Sequence, residues 1–231
     1  MATKAVSVLI TGANRGLGLE MVKQLVEASR DVRKLFACCR DPDGPRAEVS
    51  LFFLPPSDAT DLCSIKQCAQ QVGSVVGTGG ETTPEELQHM FSTNVMGPMN
   101  IIKEFLPHLR AAAKASGAPG MSSCKAAIVN ISSILGSIEA AKESYATYPL
   151  FSYRISKAAL NMLTLCASEE LKKDEILLSV LHPGWVRTDM GGEEGEIDAT
   201  ESVRGLLGVM ASLTEKQNGG FLDWKGRSIP W

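Results

Sequence analysis

The sequence predicts an α/β fold: a doubly wound, mainly parallel sheet with helices on both faces. Three observations lead there. Residues 6–10 form a near-continuous apolar run, as a strand buried on both faces requires, and a Gly-rich turn at 11–18 follows at once. Leu17, Met21 and Leu25 then recur at helical spacing. From there strand-like and helix-like segments alternate, the pattern of crossover connections between parallel strands.

The later elements follow in order. KLFACC at 34–39 is a second strand, and ETTPEELQHMF reads as a helix entering Asn94. A long helix spans 94–110, with Pro98 in its first turn or kinking it. KAAIVNIS at 125–132 is a strand, 153–172 a helix, and 176–181 a strand ending at His182-Pro183-Gly184. A helix at 199–213 and a short strand at 220–224 complete the pattern. Ligands of such sheets sit beyond the carboxyl ends of the strands, where Gly12, Arg40, Ser133, Tyr153 and Gly184 all fall.

Length and composition narrow the classes. The 231 residues are read as one domain, 1–231. With 23 basic and 26 acidic residues the net charge is −3, so no broad basic face for nucleic acid is expected. No stretch reaches the roughly 18 apolar residues of a membrane span. MATKAVSVLI carries no long apolar run, so no signal peptide is expected and the protein is placed in the cytoplasm. Cys38–Cys39 and Cys63–Cys68 lack zinc-knuckle spacing, and His89, His108 and His182 stand elsewhere; reduced thiols and no metal are expected.

Two motifs carry chemistry. In Thr11-Gly12-Ala13-Asn14-Arg15-Gly16-Leu17-Gly18 glycines allow a tight turn and close approach of a pyrophosphate, which the following helix N-terminus attracts. Such a turn alone is a weak signal, and a buried strand before it makes cofactor binding the better reading. About 20 residues on, where an acid would hold a ribose 2′-hydroxyl, stands Arg40. With Arg15 in the turn, the two guanidinium groups suit a 2′-phosphate and favour NADP(H). Farther along, YRISK places Lys157 one helical turn after Tyr153. A free tyrosine has a pKa near 10, and a neighbouring ammonium is expected to lower it toward useful acid–base chemistry. Ser133, just past a strand end, can donate to a substrate carbonyl. Each feature alone is commonplace; their conjunction points to carbonyl reduction.

TGANRGLG, NISS, YRISK and HPGWVRTDM, in that order, make the chain resemble the short-chain dehydrogenase/reductases. ANRGLGLE, CRDPDGP, NVMGP and DWKGRSIPW resemble more narrowly the carbonyl reductase-like branch that includes sniffer and C-factor proteins, a branch typically NADPH-dependent. The resemblance implies a Rossmann-type fold. It implies Ser133 as carbonyl-polarising residue, Tyr153 as proton donor, Lys157 as its ribose-binding partner and Asn94 as holder of a relay water. It implies cofactor contacts from Gly12, Asn14, Arg15, Gly16, Leu17 and Gly18, and from Arg40 and Asp58 at the adenosine end. Pro183, Gly184, Val186 and Thr188 would meet the nicotinamide. Trp185, Met190 and 191–197 would line the substrate side, with Gly191, Gly192 and Gly195 suggesting a mobile lid. The partner implied is a small carbonyl compound (aldehyde, ketone or quinone), and the state is either monomer or homodimer.

One departure stands out. The family's Asn-Asn-Ala-Gly strand, fourth in order and beside the first, is absent between Gly77 and Asn94. An internal deletion is expected to leave the sheet a strand short, or to let QVGSVV at 71–76 fill the slot. The alternative to an active reductase is a catalytically impaired chain that binds nucleotide or acts as an interaction protein.

Overall fold

The computed structural model describes residues 6–28, 32–39 and 82–231. Within them, strands β1 (Val6–Thr11), β2 (Val32–Cys38), β3 (Ala127–Ile131), β4 (Leu177–His182) and β5 (Phe221–Asp223) are all paired in parallel. Helices α1 (Gly16–Glu27), α2 (Pro84–Phe91), α3 (Gly97–Ser116), α4 (Ile138–Ser144), α5 (Phe151–Leu171) and α6 (Ala199–Ser212) fall between them. The strand–helix alternation read from periodicity is therefore present, with ends shifted by up to three residues except at the end of α3, which runs six residues past the expected 110.

The sheet falls into two blocks. β1 pairs with β2, and β3, β4 and β5 form a second set in that order. Among the described residues no strand pairs with the free edge of β1 or of β3. Segment 71–76, expected as a makeshift filler, lies outside the described residues. The consequence shows in burial. Leu177, Leu178, Val180 and Leu181 of β4 are fully buried, whereas Val8, Leu9 and Ile10 of β1 are only half-buried, contrary to the sequence reading. Burying such a side chain completely stabilises by about 1.5–3 kcal/mol, so β4 anchors the core more than β1 does. The blocks still share apolar contacts: Ile10 and Leu17 pack against a cluster of Met21, Leu177, Leu181, Val203, Leu206, Val209, Leu213 and Leu222.

Entry to α3 has a local cause. The helix α2 starts at a capping box, with the Thr83 side chain accepting from Glu86 N–H and Glu86 reaching back to Thr83 N–H, and Pro84 in its first turn. A single π turn, Ser92–Met96, separates it from α3. Pro98 has no N–H, so the carbonyl of Asn94, four residues back, lacks its α-helical donor. The sequence reading placed one helix from Asn94; the structure instead puts Asn94 in this widened turn, a geometry frequent at functional sites. Among the described residues no helix is long and apolar enough to cross a membrane.

Candidate active site

The turn after β1 forms as its glycines require. Gly12 and Gly16 have φ of +67° and +53°, in the left-handed region glycine tolerates best. A Cβ at Gly18 would collide with the Gly12 carbonyl, so α1 presses against the turn. Ala13 N–H donates to Cys38 O at 3.0 Å, fixing the turn to the end of β2. Arg15 is exposed and stands at the N-cap of α1 in extended backbone, and its side chain makes no bond to the first helical N–H groups. Asn14 and Leu17 are half-buried, and Leu17 faces the core cluster. Open space lies over Gly12, where an added Cβ would meet nothing within 4 Å. Arg40 and Asp58 lie outside the described residues.

The second group is built on β3 and α5. Ser133, 8 % exposed, leads a short helical turn, Ile134–Gly136, and its Oγ accepts from Leu135 N–H at 3.2 Å. Gly136 allows that turn to lie on α5: a Cβ there would come within 2.9 Å of Lys157 Cβ. The Ser133 side chain faces the Tyr153 hydroxyl closely enough to lower the phenol's pKa by hydrogen bonding. Lys157 Nζ donates to Ile131 O at 3.0 Å and stands 5.6 Å from the Tyr153 ring centroid. Asn94 Nδ2 donates to Ser156 Oγ at 2.9 Å, and Ser156 Oγ donates to the Tyr153 carbonyl at 2.8 Å. All four residues proposed from sequence as catalytic are thus brought together. Ser156 was missed; its only signal was its place inside YRISK.

Electrostatics correct one expectation. Burial raises the Tyr153 pKa above the ordinary tyrosine value, with the Ser133 bond offsetting part of the rise. The sequence reading had Lys157 lowering it. Two causes oppose that: the ammonium bonds the Ile131 carbonyl, and its own pKa is pushed down to about 8 by desolvation. His182, at the end of β4, is lowered to about 4 by burial and is neutral at physiological pH.

The segment after β4 closes over the first turn. Gly184 has φ +85°, and a Cβ there would stand 2.7 Å from Ile197 Cδ1 and 3.0 Å from Trp224 Nε1. Ser202 Oγ donates to Pro183 O at 2.6 Å, and buried Val186 bridges to Ile197. The Thr188 methyl lies 4.0 Å from where a Gly16 Cβ would be, so this segment meets the start of α1. A mobile lid was expected at 191–197; the structure shows a strap. Trp185 Nε1 donates to Gly191 O at 2.8 Å and Arg187 Nη1 to Gly195 O at 2.7 Å. At Gly191 and Gly195 a Cβ would strike the Val186 and Arg187 backbone, so close approach rather than freedom explains these glycines.

The pattern has known counterparts. A model of the short chain dehydrogenase family matches residues 6–198. The chain belongs to the short-chain dehydrogenase family. With membership come the Rossmann-type α/β fold and the oxidoreductase class. An NADPH-bound carbonyl reductase from chicken fatty liver is 38% identical, with a TM-score of 0.84 over 99% of this chain and 100% of that one. The carbonyl reductase Sniffer of D. melanogaster is 33% identical, with a TM-score of 0.82 over 98% and 100%. These likenesses place this short-chain dehydrogenase in the carbonyl reductase-like branch. A curated relative, an uncharacterized oxidoreductase of Schizosaccharomyces pombe, is 27% identical and is matched over 100% of both chains. That match runs over 273 positions, 42 more than the 231 residues here, so at least 42 of its positions are gaps in this chain.

Proposed function

We propose that the chain reduces a small carbonyl compound, an aldehyde, ketone or quinone, with NADP(H) as cofactor and Tyr153 as proton donor. The observation that carries this is the cluster on one helix: Ser133 facing the Tyr153 hydroxyl, Lys157 beneath its ring, and Asn94 tied to the same helix through Ser156. A half-buried phenol with a raised pKa holds its proton, as a proton donor in reduction must. When bound, the reduced nicotinamide supplies the hydride. Ser133 Oγ donates to the carbonyl oxygen, and Tyr153 transfers its proton to that oxygen, with Lys157 held beneath the ring by Ile131 O. The Asn94 carbonyl, without its helical donor, suits a water that returns a proton toward Lys157.

The residues present fit a dinucleotide. Open space over Gly12, uncapped N–H groups at the start of α1 and Thr188 beside Gly16 form a cradle for an anionic linker. In this reading Gly12, Asn14, Arg15, Gly16, Leu17 and Gly18 bind the phosphates and Arg40 the 2′-phosphate. Pro183, Gly184, Val186 and Thr188 flank the nicotinamide. Arg40→Asp is expected to shift preference from NADPH toward NADH by about tenfold or more, since a charge-assisted contact is worth about 1.5–3 kcal/mol. Kd values for both nucleotides, by fluorescence titration, check this; an unchanged ratio removes Arg40 from the site.

Lys157 gives a pH signature. Its ammonium is present below about 8 and lost above. The kcat/KM for NADPH is therefore expected to be flat at lower pH and to fall as pH rises through about 8. Lys157→Arg, charged throughout, should remove that fall in whatever activity remains.

A second reading, nucleotide binding without turnover, is favoured by the half-buried β1 and by its free edge, which no strand among the described residues pairs. A rise in Tm with NADPH but no carbonyl-dependent consumption of it would select this reading.

A further inference from the structure

Asn161 lies on α5 one helical turn after Lys157 and two after Tyr153, so the three side chains share one stripe of the helix. It is 3 % exposed. Its Nδ2 donates to Gly136 O at 3.3 Å, while its Oδ1 is buried without a partner among the described residues. Because a carbonyl can only accept, this contact fixes which way the amide points.

Gly136 ends the short turn that Ser133 begins. Gly136 N–H donates to Ser133 O at 2.9 Å, and Leu135 N–H donates to Ser133 Oγ at 3.2 Å. The turn thereby occupies an acceptor site of the Ser133 hydroxyl and leaves its O–H to donate. At its far end the turn lies directly on α5, where a Cβ at Gly136 would stand 2.9 Å from Lys157 Cβ. Ahead of the turn, Lys157 Nζ donates to Ile131 O at 3.0 Å. Ser133 is thus bracketed. One stripe of α5 holds the chain before it through Lys157 and after it through Asn161, while Tyr153 on that stripe faces its side chain.

A buried amide with its acceptor unused adds little to stability, and an apolar side chain of the same size would pack as well. What Asn161 supplies that an apolar residue cannot is a polar tie between α5 and the far end of the turn. We propose that Asn161 is a positioning residue for catalysis: by holding the Gly136 carbonyl it keeps Ser133 Oγ beside the Tyr153 hydroxyl, where both groups can serve one carbonyl oxygen. This rests on the carbonyl-reductase reading above. Asn161, buried between α5 and the turn, acts through the turn alone.

The test uses the full chain with Asn161→Leu and Asn161→Ala. The kcat for a naphthoquinone at saturating NADPH is paired with NADPH titration, thermal melts and hydrogen exchange. Asn161→Leu removes the unpaired Oδ1 and leaves Gly136 O without its donor, so one orphan replaces another and Tm should hardly move. Its kcat should fall about tenfold or more, because small misplacements of a reacting group are that costly, with NADPH Kd unchanged. Asn161→Ala adds a cavity and should lower Tm, yet its loss of kcat should match that of Asn161→Leu. Exchange should quicken at 134–137 in both variants. An unaltered kcat, a kcat that follows Tm rather than the missing donor, or an equal weakening of NADPH binding would overturn the proposal. Should the unaltered chain reduce no carbonyl, the function reading fails, and exchange still decides the role of Asn161. Quicker exchange at 134–137 then upholds its hold on the Ser133 turn, and unchanged exchange removes it.

Discussion

Tyr153→Phe is expected to remove nearly all carbonyl reduction while leaving NADPH binding intact. The phenol is the group placed to give a proton to the carbonyl oxygen, facing the Ser133 side chain and kept protonated by its burial. A positioned proton donor contributes about 10²–10⁴-fold to rate, so the loss should fall in that range. The ring itself, packed over Lys157, survives the substitution, and the Lys157 bond to Ile131 O does not involve the hydroxyl. NADPH Kd should therefore hardly move. Lys157→Met should harm both quantities, since the lysine is assigned to the ribose as well as to the phenol. Full turnover in Tyr153→Phe would sink the proton-donor assignment.

Low stability is the second expected result, and the one-sided pairing of β1 among the described residues is its cause. β1 is bonded to β2 on one side, with no strand on the other among the described residues, and its apolar side chains are half-buried where those of β4 are fully buried. Each buried backbone group without a partner costs about 1–3 kcal/mol, so several rival the 5–15 kcal/mol net stability of a domain. The purified chain is expected to melt below about 55 °C or to aggregate. Inserting the missing strand with its Asn-Asn-Ala-Gly turn before Thr82 should raise Tm by about 10 °C or more. A cooperative melt above about 55 °C, unmoved by the insertion, would show that β1 needs no further neighbour.

Much of this was legible in the sequence because it was written in periodicity and in backbone-restricting residues. The apolar runs at β1 and β4, the helical spacing of Leu17 and Met21, and Pro98 in the first turn of α3 each point to one local conformation. The grouping of the proposed catalytic residues was legible because Tyr153 and Lys157 share a helical turn and Ser133 follows a strand end. What was not legible depends on tertiary contact. The π turn at Asn94 and the short helix α4 have no periodic signal. Gly191 and Gly195 looked like freedom and proved to be close packing against Val186 and Arg187. The direction of the Tyr153 shift depended on how deeply the phenol is buried and on where the Lys157 ammonium finds its acceptor. Spacing along a helix specifies neither. Asn161 carried no sequence signal of its own, since its partner Gly136 is brought to it by the turn after β3.

The most direct test of the central claim is carbonyl-dependent loss of NADPH absorbance, measured across a panel of aldehydes, ketones and quinones for the unaltered chain beside Tyr153→Phe. Consumption is expected that depends on the carbonyl, is slow because β1 is paired on one side only among the described residues, and disappears with the phenol. Consumption that is the same with and without Tyr153, or no consumption from a chain that is folded and binds NADPH, would contradict it.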